Sequence, residues 1–279
     1  MLTISVAVVS EVDGHDQSDV ARVTAALQRQ AIRDFRPAWN VEATVDSFPK
    51  LEDVPVGYWP IMIRDDIGTP GAAGVHLDKD GQPFALVTMS NSWSLTASHE
   101  MLEMLADPFG NRLVPGQSPK KGQGRVEFLL EVADPSEAEE FGYTVNDILM
   151  SDFYTKHFFD PVKANGVRYS FTGAIKAPRT ILKGGYISWH EPVSDHWWQQ
   201  IWFGAKAEFR DLGKFDSAKA GMSLRSWIDG QTDHGAIDTG LPKSNATLKA
   251  AVAAGKSTAK SANAKADGWR SQIDAILKR

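Results

Sequence analysis

Thr96-Ala97-Ser98-His99-Glu100-Met101-Leu102-Glu103-Met104-Leu105-Ala106-Asp107-Pro108 reads as one helix with two different faces. Thr96 or Ser98 is the candidate N-cap and Pro108 the stop, while Leu95, Leu102, Leu105 and Ala106 recur at helical spacing as an apolar stripe. His99 and Glu103 are four residues apart, so their side chains stand one turn above each other with Cβ atoms about 5–6 Å apart, near enough to grip one ion. Glu100, beside His99, projects to the flank of such an ion. The competing reading is an exposed helix face that carries His and Glu for solvation alone, because the pattern is short.

The spacing is that of the HExxH helix, in which two His hold zinc and the Glu serves as general base, with Glu103 here in place of the second His. One imidazole with carboxylates puts more negative charge on an ion, lowers the acidity of its bound water and suits harder cations somewhat better. A third ligand must come from elsewhere. Glu131, an acid inside the otherwise apolar run Val126 to Ala133, ranks first, because a carboxylate buried there needs a partner. Asp107 ranks second, since a straight helix spreads His99, Glu103 and Asp107 over about 12 Å. Asp134 ranks third; Asp134-Pro135-Ser136-Glu137 reads more simply as a helix start with Asp as N-cap and Pro at the first position.

Working outward toward the N-terminus, Leu2 to Val9 reads as a buried first strand, Val20 to Phe35 as a helix capped by Ser18 or Asp19 and ended by Pro37, and Val41 to Phe48 as a second strand. Val20, Val23, Leu27, Ile32 and Phe35 make the helix's inward face. The third strand is Ile61 to Arg64, because Pro60 cannot donate to a ladder. Val75-His76-Leu77 and Phe84 to Thr88 flank Asp80-Gly81, a tight-turn signal. His76 could reach the cleft from the edge strand, although a lone His in a hairpin reads more simply as a polar surface residue. Met1 to Val9 lacks a basic leader and a small-residue cleavage site, and no apolar run nears the roughly 20 residues of a membrane span, so a soluble cytoplasmic protein is expected, with leaderless export as the alternative. A formal charge of −5 argues against general affinity for nucleic acid, and with no cysteine the chain has neither disulfides nor thiolate metal sites.

The order strand, helix, strand, strand, hairpin, HE-bearing helix over residues 1–110, with SHEMLEMLADP and the later EVADPSE, resembles the zincin metallopeptidases and a group of bacterial zincin-like proteins. The resemblance implies an α+β fold in which a twisted mixed sheet, with an antiparallel edge strand lining the cleft, backs the active-site helix. It implies zinc or another divalent ion, a peptide or protein substrate, and Glu100 as general base. The chain departs from the family at Glu103 and lacks the metzincin continuation, since Phe109 stands ten residues after His99.

Residues 111–212 are expected to complete the zincin-like domain begun at 1–110. Tyr186, after the turn Lys183-Gly184-Gly185, is a candidate oxyanion-stabilising phenol. The cluster of His190, Glu191, Asp195 and His196 with Trp197 and Trp198 reads as packing. Residues 213–279 read as a helical, Ala/Lys-rich extension; its last stretch, Lys243 to Arg279, holds eight basic residues against two acidic ones. It is expected to be a solvated tail adding little to the core or, alternatively, a docking segment anchored by Trp269, Ile273, Ile276 and Leu277. Two functions fit the chain: a metal-dependent hydrolase, foremost a peptidase, and a non-catalytic binding or assembly protein with a degenerate or structural site.

Overall fold

The computed structural model describes residues 3–69, 71–217 and 222–232, together with Ile273, Asp274 and Leu277. Its first half is organised by β1 (Ile4–Ser10), in which Val6, Ala7, Val8 and Val9 are all wholly buried. A strand with no solvent face belongs inside a sheet covered on both sides. β1 lies between β2 (Ala43–Ser47) and β3 (Trp59–Arg64), parallel to both. β5 (Gln82–Thr88) continues the sheet parallel to β3, and β4 (Gly74–Lys79) closes it as an antiparallel edge, giving the order β2-β1-β3-β5-β4. The β4–β5 hairpin turns at Asp80 and Gly81, both at positive φ, as the Asp-Gly pair led one to expect. Pro60 lies inside β3 opposite Ala7, earlier than the expected strand start; the β3–β5 ladder begins only at Ile61, so the missing N–H costs that ladder nothing.

On one face of this sheet lie α1 (Gln17–Arg29) and α2 (Trp93–Ala106), packed on Val6, Val8, Ile61, Ile63, Ala85 and Val87. Asp16, rather than Ser18 or Asp19, caps α1, accepting from Ser18 N. The expected unbroken helix to Phe35 is also corrected. Gln30–Phe35 is a π-helical stretch whose wider turn shifts the phase of the side chains, so Ala31 and Phe35 face inward while Ile32 is 45% exposed. Pro37 does not stop the chain's winding but lies within a further α-helical turn, Arg36–Trp39, which Asn40 ends in the left-handed region. The π stretch has a use: it turns Gln30 inward, where its amide donates to Ser151 O and Tyr143 Oη and accepts from Ser98 Oγ on α2.

The second half is an antiparallel sheet of β6 (Leu113–Gln117), β7 (Arg125–Leu129), β10 (Tyr186–Glu191), β11 (His196–Ile201) and β12 (Glu208–Gly213), ordered β12-β11-β10-β7-β6. A small hairpin, β8 (Tyr143–Val145) and β9 (Ile148–Met150), packs against α1 and α2. Phe128, Leu130, Val132 and Trp189 join the α2 side of the first sheet in one continuous core. The chain is therefore an α+β molecule with both sheets meeting at α2. His190, Glu191, Asp195 and His196 lie on the second sheet, paired with Glu127, Ser194 and Asp211, consistent with a packing role. Among the described residues no helix is long and apolar enough to cross a membrane.

Two features show how described residues after 212 pack. The helix α3 (Leu224–Asp229) buries Arg225 and Ile228. Ile273, from the expected solvated tail, is 0% exposed and packs with Leu277 on the far face of the first sheet, beside Ala7, Val9, Met62, Phe84 and Leu86. That face has alternate strand residues to cover, and charge composition does not reveal which segment covers it. The other expected anchors, Trp269 and Ile276, lie outside the described residues. Ile273→Ala should destabilise the protein by about 2–5 kcal/mol, the usual scale for truncating a wholly buried isoleucine. Thermal denaturation checks this, and a melting temperature unchanged within about 1 °C would contradict the packing.

Candidate functional site

Because α2 is sandwiched between the sheets, even its charged face is buried: Glu100 and Glu103 are enclosed, and His99 is only 12% exposed. The helix begins at Trp93, a turn earlier than the expected cap at Thr96 or Ser98, with Ser92 at the N-cap position and no side-chain cap bond. Ser98 is used elsewhere, linking Gln30 to Ser151 N. Asp107 takes the C-cap position, its N–H bonded to Glu103 O at 2.7 Å. Its Oδ2 accepts from Arg112 N, its main-chain oxygen faces His76 Nε2 at 3.1 Å, and it enters no group of potential ligands among the described residues.

Four other elements converge on the helix. β4 contributes His76, which is buried rather than a surface residue, with Nδ1 3.7 Å from Glu100 Oε2 and 3.6 Å from Glu103 Oε2. The chain leaving β7 runs buried through Leu130–Ala133, placing Glu131 beside Glu103 and donating Ala133 N to Glu103 Oε1 at 3.3 Å. Asp134 opens a short 3₁₀ turn, as its Pro-following sequence suggests, but it is buried and faces His99 Nε2 at 3.2 Å. α3 contributes Arg225, paired with Glu103 Oε2 at 3.0 Å, with Glu131, and through Nε with both carboxylate oxygens of Asp229. β10 contributes Tyr186, buried, its phenol pushed well above its ordinary pKa by burial and by the negative charges of Asp134 and Asp229.

Three overlapping groups result: His76, Glu100 and Glu103; His99, Asp134 and Glu137; Glu103, Glu131 and Asp134. Within each, one donor atom per residue lies within 4.8 Å of the others. Burial opposes a charged His99, yet the Glu103 charge and the bonds from Asp134 and Glu103 outweigh it and raise its pKa well above the usual value. Asp134 is held well above the carboxylate range by burial and then by repulsion from Glu103. Burial would raise Glu103 too, but the positive charges of His99 and Arg225 bring it well below its ordinary value. His99 and Glu103 thus favour each other's charged forms.

The donor set fits a divalent cation. Glu100, Glu103, Glu131 and Asp134 are four buried carboxyls facing one guanidinium and two imidazoles. Glu100 Oε2 has no hydrogen-bond partner, nor has the buried Tyr154 hydroxyl, whose pKa is raised by burial and by Glu103 and Asp134. Buried polar atoms left unpaired are costly, and a hard cation accepting oxygen and imidazole donors removes that cost.

Glu103 and Glu131, foreseen from spacing and from an acid in an apolar run, share a group with Asp134, and His99 faces Glu103 at 3.4 Å; Asp107 enters no group among the described residues. Asp134 enters two of the three groups; His76, whose reach to the cleft was the less simple of two readings, enters one, and Tyr154 and Arg225 were not foreseen. His76 carried one signal, its place between Val75 and Leu77 in a strand next to a buried helix; Tyr154 and Arg225 carried none. No family model, curated protein or solved structure matches this chain.

Gly74 on β4 is what allows the edge strand to approach α2: a Cβ there would lie 2.6 Å from both Glu100 Oε1 and Thr96 Cγ2. Gly74→Ala should cost about 1–3 kcal/mol by overpacking. Adding Glu100→Ala should recover part of that loss. Two denaturation-derived costs that simply add would show that the strand and the helix are not in contact here.

Proposed function

We propose that the protein is a metal-dependent hydrolase of zincin-like architecture, acting on peptide bonds, with His99, Glu103 and Asp134 holding a divalent ion, Glu137 within reach of it and Glu131 turned to Arg225. The observation that carries this reading is the buried excess of carboxylates around His99, with Glu100 adjacent and incompletely satisfied. The resemblance to zincins is supported by the sheet order β2-β1-β3-β5-β4, its antiparallel edge strand and the position of α2 against that edge. Zinc is the ion the resemblance names, and the carboxylate-rich donors suit manganese or another hard divalent ion as well.

When bound, the ion supplies Lewis acidity, polarising a carbonyl and making a water molecule acidic enough to attack. Glu100 is the general base, held by Gly74 and His76 at the edge strand, where a substrate backbone would lie in the family the chain resembles. Tyr186 and Tyr154 remain protonated to high pH because both are buried, so each is a hydroxyl donor suited to a developing oxyanion. His99 and Glu137 are the partly exposed members of the cluster, and a substrate would reach it from their side.

One observation favours a second reading. Arg225 neutralises Glu103 and Glu131 from within the chain, as it would in a structural site of a zincin-fold binding protein. Protein purified without added metal and analysed for its elements separates the two: about one divalent ion per chain is expected, lost in His99→Ala. Glu100→Gln should keep that ion while hydrolysis of a diverse peptide library falls by at least ~10²-fold. An ion-free parent, or a Glu100→Gln variant that cleaves as fast as the parent, would contradict the hydrolase reading.

A further inference from the structure

The two oxygens of Glu103 face different chemistry. Oε1 looks toward His99 Nε2 at 3.4 Å, with Asp134 beyond, and this side reaches solvent through His99. Oε2 looks toward Arg225 Nη1 at 3.0 Å. That same nitrogen pairs with Glu131 Oε2 and lies 3.4 Å from His76 Nδ1. One cationic nitrogen is therefore surrounded by two carboxylates and one imidazole, the donor types that bind divalent ions. His76 gives its other nitrogen to Asp107 O at 3.1 Å, which leaves Nδ1 as the lone-pair side, and such an outer bond is how metal-ligating histidines are usually oriented. Glu100 Oε2, buried and without a hydrogen-bond partner, lies 3.7 Å from the same Nδ1.

Arg225 is delivered to this position by built features. It is 5% exposed, its Nε is clamped by Asp229, and its Cβ lies where a side chain on Gly110 would be, 2.7 Å from an added Cβ. Gly110 has a φ of +57°, so the turn after α2 is shaped for a residue without a side chain.

We propose that Glu103 is the bridging carboxylate of a two-cation site in which the Arg225 guanidinium permanently occupies one position. The chain thereby supplies the second cation of a dinuclear centre from its own α3, leaving the His99–Asp134 side for a single divalent ion; that last clause rests on the hydrolase reading above. Removing the guanidinium leaves His76, Glu103 and Glu131 as an empty ligand set with an uncompensated negative charge. It becomes a second divalent site.

Equilibration with zinc alone, desalting and elemental analysis test this. Arg225→Gln is expected to hold one more zinc per chain than the parent, and Arg225→Gln combined with His76→Ala should return to the parent count. Arg225→Lys, which keeps the charge, should match the parent. The parent count judges the hydrolase reading, whereas the increment judges the bridging arrangement, so the two fail separately. An unchanged count in folded Arg225→Gln overturns the proposal. Where far-UV circular dichroism shows that variant unfolded, the parent background decides. Glu131→Gln should leave the parent's zinc affinity within about threefold, and Asp134→Asn should weaken it by more than ~100-fold, beyond the usual effect of an outer-shell partner. The opposite order would overturn the assignment of Glu131 to the guanidinium side.

Discussion

Glu103 is wholly buried, and a carboxylate so far from water persists in its charged form only where positive charge is buried with it. Much of the molecule's arrangement follows from that need. His99 and Arg225 hold Glu103 ionised from opposite sides, His76 and the Ala133 amide fill the remaining directions, and each comes from a different element. β4 must come close enough to present His76, which requires Gly74. The strand leaving β7 must pass beside α2 to present Ala133, Glu131 and Asp134. α3 must fold back from beyond the second sheet to insert Arg225. Removing one partner of a buried, hydrogen-bonded ion pair commonly costs about 3–5 kcal/mol, so the C-terminal part of the described chain is tied to the central helix and is not an appendage.

The same arrangement sets what the site can do. Two histidines and several carboxylates compete for few positive charges, which leaves His99 protonated and Asp134 held above its usual range. A divalent ion on the solvent-facing side of Glu103 would replace that proton and let Asp134 ionise, so binding should release protons. Glu100 packs against Gly74 of the edge strand, and its Oε2 has no hydrogen-bond partner.

The parts legible in the sequence were those determined locally. Helical spacing put His99, Glu100 and Glu103 on one helix, alternation and turn residues located the first strands and the hairpin, and an acid in an apolar run singled out Glu131. What could not be read depended on the meeting of distant elements. The π stretch at Gln30–Phe35 keeps an ordinary helical composition, and only its buried bonds to Ser98 and Ser151 explain the changed phase. Asp134 looks the same whether it caps a turn or faces a histidine, and here it faces His99 while Ala133 takes the cap position without a side-chain bond. Ile273 lies in a segment whose polar, Ala- and Lys-rich surroundings suggested solvation, and Arg225 in a short helix whose partners its own spacing does not name, yet each fills a place defined by other strands and helices.

The central claim is that Glu103, with His99 and Asp134, surrounds a cation position deep in the protein. X-ray absorption spectroscopy at the zinc edge, on protein loaded with one equivalent of zinc, tests it most directly. The predicted spectrum shows imidazole scattering from a single histidine, with the other ligands oxygen, and it loses the imidazole signature in His99→Ala. A spectrum with two or more imidazoles, or one of hydrated zinc indistinguishable between parent and His99→Ala, would contradict the account.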